Sequence, residues 1–129
     1  MSRANVHGKL YASDTAISGA RTASVNSDNV TSPDAEALHV IINVTAIAST
    51  PSVVPTIQGY DPTSGDYYDI LVGSAITATG MTVLKVGLSI APSANAAAQD
   101  LVPIQWRVKF AHADSDSITY TASYNLTNK

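Results

Sequence analysis

Two stretches of this chain carry side chains that could do chemistry. In QGYDPTSGDYYDIL, residues 58–71, three carboxylates (Asp61, Asp66 and Asp69) gather about one turn. Hard cations such as calcium collect several carboxylate or carbonyl oxygens, so the group is a candidate metal site. Its spacing matches no calcium-binding loop, and the same residues have a simpler use. Pro62 presets φ and Gly65 supplies a positive φ, while Asp and Ser bond the backbone of the turns they occupy. Asp69 falls inside the following run, where it points to solvent if Tyr68 and Ile70 point inward. The stretch reads as a β-hairpin. In AHADSDS, residues 111–117, His112, Asp114 and Asp116 raise the same question, because an imidazole beside two carboxylates can hold a cation or move a proton. Asp and Ser also cap hairpin loops through their own backbone, and that is the reading taken.

Little else looks catalytic. The other histidines, His7 and His39, sit in no motif, and the single glutamate, Glu36, has no carboxylate partner at a recognisable spacing. No nucleophile elbow, phosphate loop or H-E-x-x-H helix occurs. Cysteine is absent, which excludes a disulfide framework, a thiolate zinc site and a thiol nucleophile. No catalytic, cofactor-binding or metal-ligating residue is therefore assigned, and the expected mode of action is binding. Asn43 (NVT) and Asn125 (NLT) match glycosylation acceptors, but without a secretory signal the match carries nothing.

The elements that hold these stretches are strands. Residues 38–48, LHVIINVTAIA, are rich in β-branched side chains, with Val40, Ile42, Val44 and Ala46 on one face and Ile41, Asn43, Thr45 and Ile47 on the other. Apolar groups on both faces place this strand centrally. VVPTIQGY follows, and Pro55 argues for an edge position or a bulge. YYDILVG, SAITATG and MTVLKVGLSI continue the series, with Gly73 and Gly80 as turn points. Residues 91–103 are Ala-rich without an apolar stripe, which fits a loop better than a helical turn. IQWRVKFAH alternates, with Ile104, Trp106, Val108 and Phe110 inward and Gln105, Arg107 and Lys109 outward. Trp106 is accordingly read as core. SITYTASYNL places Ile118, Tyr120, Ala122, Tyr124 and Leu126 on one face. Short strands at this spacing, with no connection long enough for a crossover helix, predict an all-β antiparallel sandwich or barrel over residues 38–129. Residues 1–37 are poor in large apolar side chains, with Ile17, Val25 and Val30 as the anchors within 12–37. They read as an extended N-terminal arm or irregular segment.

Composition narrows the function classes. Of 129 residues, 45% are hydrophobic and only 13% charged, about half the usual charged share. A surface built from hydroxyls and small side chains carries little charge to desolvate on assembly. The formal net charge is −3, and the seven basic residues are scattered from Arg3 to Lys129. No basic stripe marks nucleic-acid binding. No apolar run approaches a membrane span, and the N-terminal residues carry no apolar signal segment, so synthesis in the cytosol is expected.

Three elements, TIQGYDPTSGDYYDIL, AITATGMTVLKV and WRVKFAHADSDSITYTAS, resemble a group of small virion structural proteins of tailed bacteriophages and prophages. The resemblance covers residues 39–126, about two thirds of the chain, and concerns hydrophobic pattern and turn chemistry. It implies a head decoration, or cement, protein that binds the assembled major capsid protein shell and supports it on the outer surface of the virion. Such a protein needs a rigid β scaffold and a surface able to lie on other subunits. Closed symmetry implies a homo-oligomer, a trimer in preference to a dimer. Neck, tail or fibre components use similar domains. A carbohydrate-binding module is the alternative from another class, with Tyr60, Tyr67 and Tyr68 as its stacking platform if they are exposed.

Overall fold

The structure, a computed structural model, describes residues 4–128. Thirteen strands follow one another: β1 (Ala4–Lys9), β2 (Tyr11–Ala12), β3 (Thr15–Ala16), β4 (Ser18–Arg21), β5 (Val25–Asn26), β6 (Val30–Thr31), β7 (Ala35–Ile47), β8 (Val53–Asp61), β9 (Asp66–Val72), β10 (Gly80–Gly87), β11 (Ala97–Ala98), β12 (Gln105–His112) and β13 (Ile118–Asn128). One sheet runs β1-β13-β7-β10-β11, with β4 also on β13. The other runs β5-β12-β8-β9, with β6 also on β12. The fold is all-β, and the two sheets form a β-sandwich around a shared core.

The alternation of the long strands builds that core. Leu38, Val40, Ile42 and Val44 of β7 and Ile118, Tyr120, Ala122 and Leu126 of β13 are buried from one sheet. Trp106, Val108 and Phe110 of β12, with Val53 and Ile57 of β8, meet them from the other. The β7 strand is central, as its two apolar faces require. Two positions depart from simple alternation. Ala46 is exposed because the β7–β13 register shifts between Thr119 and Tyr120, leaving Thr45 as an extra residue. Ile104, expected inward, is 62% exposed. The chain bends there, after Pro103, and the strand begins only at Gln105.

Pro55 does not mark an edge, because β8 lies between β12 and β9. Its carbonyl accepts from Gly73 N at 2.7 Å, so its ring nitrogen faces the same flank, beyond the last β9 pair, Thr56 with Val72. No ladder bond is lost there. A bulge is nonetheless present. The β8–β9 register shifts between Ile57 and Gln58, leaving Ile70 as the extra residue.

The N-terminal segment, expected as an arm, is woven into both sheets from residue 4 onward. β1 pairs with residues 123–128 and β4 with 118–121 of β13, while β5 and β6 pair with β12. Leu10 and Ile17 are fully buried core residues. Between them β2 and β3 form a tight hairpin whose turn residues, Ser13 and Asp14, have φ of 52° and 68°. A left-handed pair without glycine is strained. Here the Asp28 carboxylate offsets it, accepting from Ser13 N at 2.9 Å and Asp14 N at 3.3 Å. Residues 1–3 of the expected arm lie outside the described residues.

The opposite side of the sandwich is closed by residues 88–104, which form a loop and no helix. β11 within it pairs with β10 in parallel, against the expectation of antiparallel pairing throughout. Asn95 Nδ2 donates to Val72 O at 3.0 Å, tying the loop to β9 in the other sheet.

Candidate interaction surface

The hairpin of residues 58–71 is built by its turn chemistry. The Asp61 carboxylate accepts from Thr63 N at 3.0 Å and Ser64 Oγ at 2.8 Å, and Gly65 N donates to Asp61 O at 2.8 Å. Gly65 has φ +77°. These bonds, Ser64 first, hold the Asp61 carboxyl below its ordinary range. Asp66 is exposed, and Asp69 is exposed but accepts from Gln58 Nε2 at 2.9 Å. The Asp61 and Asp69 carboxylates are thus tied to their own surroundings, while Asp66 is held through its backbone N, which donates to Ser64 Oγ at 3.2 Å. Among the described residues no group of three or more His, Cys, Asp or Glu side chains could hold a metal ion.

The second loop is organised likewise. Asp116 N donates to Asp114 Oδ1 at 3.0 Å, and Asp116 Oδ2 accepts from Thr50 N at 3.1 Å, closing the β12–β13 hairpin onto the β7–β8 connection. His112 is hydrogen-bonded to neither carboxylate and meets the Tyr120 hydroxyl at 3.1 Å through Nε2. His7 and His39 stand elsewhere, in register with Asn125 from either side on the first sheet. His7 Nδ1 lies 2.8 Å from Asn125 Oδ1.

The three tyrosines of the first hairpin separate. Tyr67 lies under the Arg107 guanidinium, whose Cζ is 3.5 Å from the ring centroid, and its hydroxyl donates to Asn29 Oδ1 at 2.8 Å. Arg107 Nε in turn donates to Gln58 Oε1 at 2.9 Å. A row Arg107–Gln58–Asp69 crosses three strands and neutralises itself. Tyr60 sits against Tyr67, centroids 5.0 Å apart, and is half-buried. Tyr68, read as inward, is 49% exposed, because β9 is the last strand of its sheet and nothing pairs beyond it there.

Tyr68 is not alone. With Tyr60, Pro62, Leu101, Pro103, Ile104 and Gln105 it lines a groove of about 360 Å³. Leu101 is 55% exposed and Ile104 62%, and no lining side chain is charged. Sequence reading assigned Ile104 to the core and passed over Leu101. The one available signal was Pro103, which keeps the residues before Gln105 out of the strand. The arrangement is a preformed, uncharged apolar surface with two tyrosines and one amide, suited to contact with another molecule.

Comparison with known proteins gives a fold relationship. No family model matches the chain, and no curated protein matches it significantly. The fold is similar to that of the SPBc2 prophage-derived protein YomS, seen in a crystal structure. The two agree at a TM-score of 0.54 with 12% identity, over 99% of this chain and 96% of that one.

Proposed function

We propose that this chain is a bacteriophage virion structural protein of the head-decoration type. It binds the assembled major capsid protein shell from outside and stabilises it, acting by contact and not by catalysis. The observation that carries this reading is the fold likeness to a prophage-derived protein along nearly the whole of both chains. The surface supports it, since Tyr68, Leu101 and Ile104 expose apolar area at the groove of a protein with few charges to desolvate. Such a protein works as a closed homo-oligomer, a trimer suiting the three-fold positions of an icosahedral shell, where each weak contact is repeated.

Sedimentation with heads lacking the protein, followed by counting copies per particle, tests this. Binding in the hundreds supports the decoration role. A handful of copies moves the protein to the neck, tail or fibre. No binding rejects the reading and favours a saccharide ligand, for which the exposed Tyr68, the neighbouring Tyr60 and the Gln105 amide are the relevant groups.

A further inference from the structure

At one end of the sandwich a single titratable side chain links the two sheets. His112 is the last residue of β12, two beyond the buried Phe110, so its ring turns to the core side. There its Nε2 lies 3.1 Å from the hydroxyl of Tyr120, a buried residue of β13 in the other sheet that also stacks on Phe110 at 5.3 Å. Backbone N of His112 donates to Ser24 Oγ at 2.9 Å. Ser24 belongs to the crossing between β4, in the first sheet, and β5, in the second. Arg21, which ends β4, faces the same spot, and its Nε is buried without a hydrogen-bond acceptor. The groups facing the imidazole are therefore the Tyr120 hydroxyl from β13, the Arg21 guanidinium from β4 and the Asp114 carboxylate from the loop.

The hydrogen bond has one favourable direction. The Tyr120 hydroxyl keeps its proton, since burial pushes it up to about 12. Tyr120 is buried, so its O–H needs an acceptor, which the neutral imidazole supplies at Nε2 while carrying its own proton on Nδ1. Adding a proton turns Nε2 into a donor. The hydroxyl oxygen must then accept, its own O–H is left without a partner, and a second positive charge appears beside Arg21. Asp114 is the one opposing charge. Burial, and then Arg21, already hold His112 below the ordinary imidazole range, with Asp114 working the other way.

We propose that this junction is an acid-sensitive latch, in which proton uptake by His112 releases residues 18–26, the stretch that ties the two sheets together along one side. Hydrogen exchange on the whole chain from pH 7.5 to 5, corrected for intrinsic rates, tests it. The opening equilibrium of residues 18–26 should rise below the ordinary imidazole range by up to about tenfold per pH unit, the limit for one linked proton. Amides of β7 should stay protected. The rise should vanish in His112→Gln, whose side-chain oxygen can still accept from Tyr120, and persist in His39→Gln. A flat wild-type profile, or an unchanged rise in His112→Gln, overturns the proposal. If His112→Gln does not fold, imidazole nitrogen shifts in the wild-type chain decide. A ring that is Nδ1-protonated at neutral pH, and titrates where the stretch opens, supports the latch. A ring that titrates at a different pH from the opening overturns it.

Discussion

The Tyr68 ring occupies the space in which any side chain at Gly59 would have to stand. A β-carbon at Gly59 would collide with the ring at Cζ, and Gly59 in turn pairs with Trp106 on β12. The absence of one methyl group thus seats an exposed aromatic ring at the rim of the apolar groove. Gly59→Ala should destabilise the protein by about 1–3 kcal/mol, the usual range for inserting a methylene into a packed site. The same change should cost much less in a Tyr68→Ala background, because the nearest atoms to the added β-carbon all belong to that side chain. A double-mutant cycle by chemical denaturation measures this. Strict additivity would show that the two residues do not determine each other's position.

Removal of residues 1–37 should abolish cooperative unfolding. Deleting the buried parts of Leu10 and Ile17 alone removes about 2–5 kcal/mol each, against a total stability of about 5–15 kcal/mol for a domain. The truncation also strips β5 and β6 from β12, which keeps only β8, and β1 and β4 from the outer side of β13. A sharp denaturation transition in the truncated chain would restore the arm interpretation.

Trp106 has its indole nitrogen 2.9 Å from Ser32 Oγ, a buried bond between β12 and the segment after β6. Ser32→Ala leaves that N–H without its partner and should cost about 1–3 kcal/mol. Trp106→Ala, which opens a cavity between the sheets, should cost about 3–5 kcal/mol. Urea titration monitored by circular dichroism separates the two.

Ile104→Ser and Leu101→Ser remove apolar groups that are already more than half exposed. Their effect on stability should stay within about 0.5 kcal/mol. If the groove is the contact surface, binding to capsid heads should fall at least tenfold. Unchanged copy number per head would move the contact to another face.

Stability should decline in acid in two stages. Burial, and next the Lys85 charge, hold His39 below the ordinary imidazole range, and His112 is displaced the same way. The unfolded chain then binds more protons than the folded one, so stability is complete above about pH 6.5 and falls as pH drops through the folded values. Asp61 adds a later loss, beginning below the ordinary carboxylate range, as its turn bonds are protonated away. Melting temperatures across pH 8 to 3 should show both limbs, and His39→Gln with His112→Gln should flatten the first. A level profile between pH 7.5 and 5 would contradict it.

What the sequence by itself determined is the set of residues that alternate. Val40, Ile42 and Val44, then Trp106, Val108 and Phe110, lie inside because a strand sends successive side chains to opposite faces. The DPTSGD turn forms because Asp, Pro and Gly each meet a local backbone requirement. Both are decided within a few residues. The course of residues 4–31 is not, because an edge segment is held by backbone hydrogen bonds to β12 and β13, which are blind to side-chain type, and by isolated anchors such as Leu10. The same holds for the functional surface. Tyr68 lies far along the chain from Leu101 and Ile104, and they share a groove only because β9 ends its sheet and the loop before β12 folds back beside it. Tyr67 and Tyr68 are neighbours of one kind, yet one is bound under Arg107 and the other, on Trp106's face, stands half exposed at the rim of its sheet. Only the assembled sheets decide which face each neighbour takes, and what waits there.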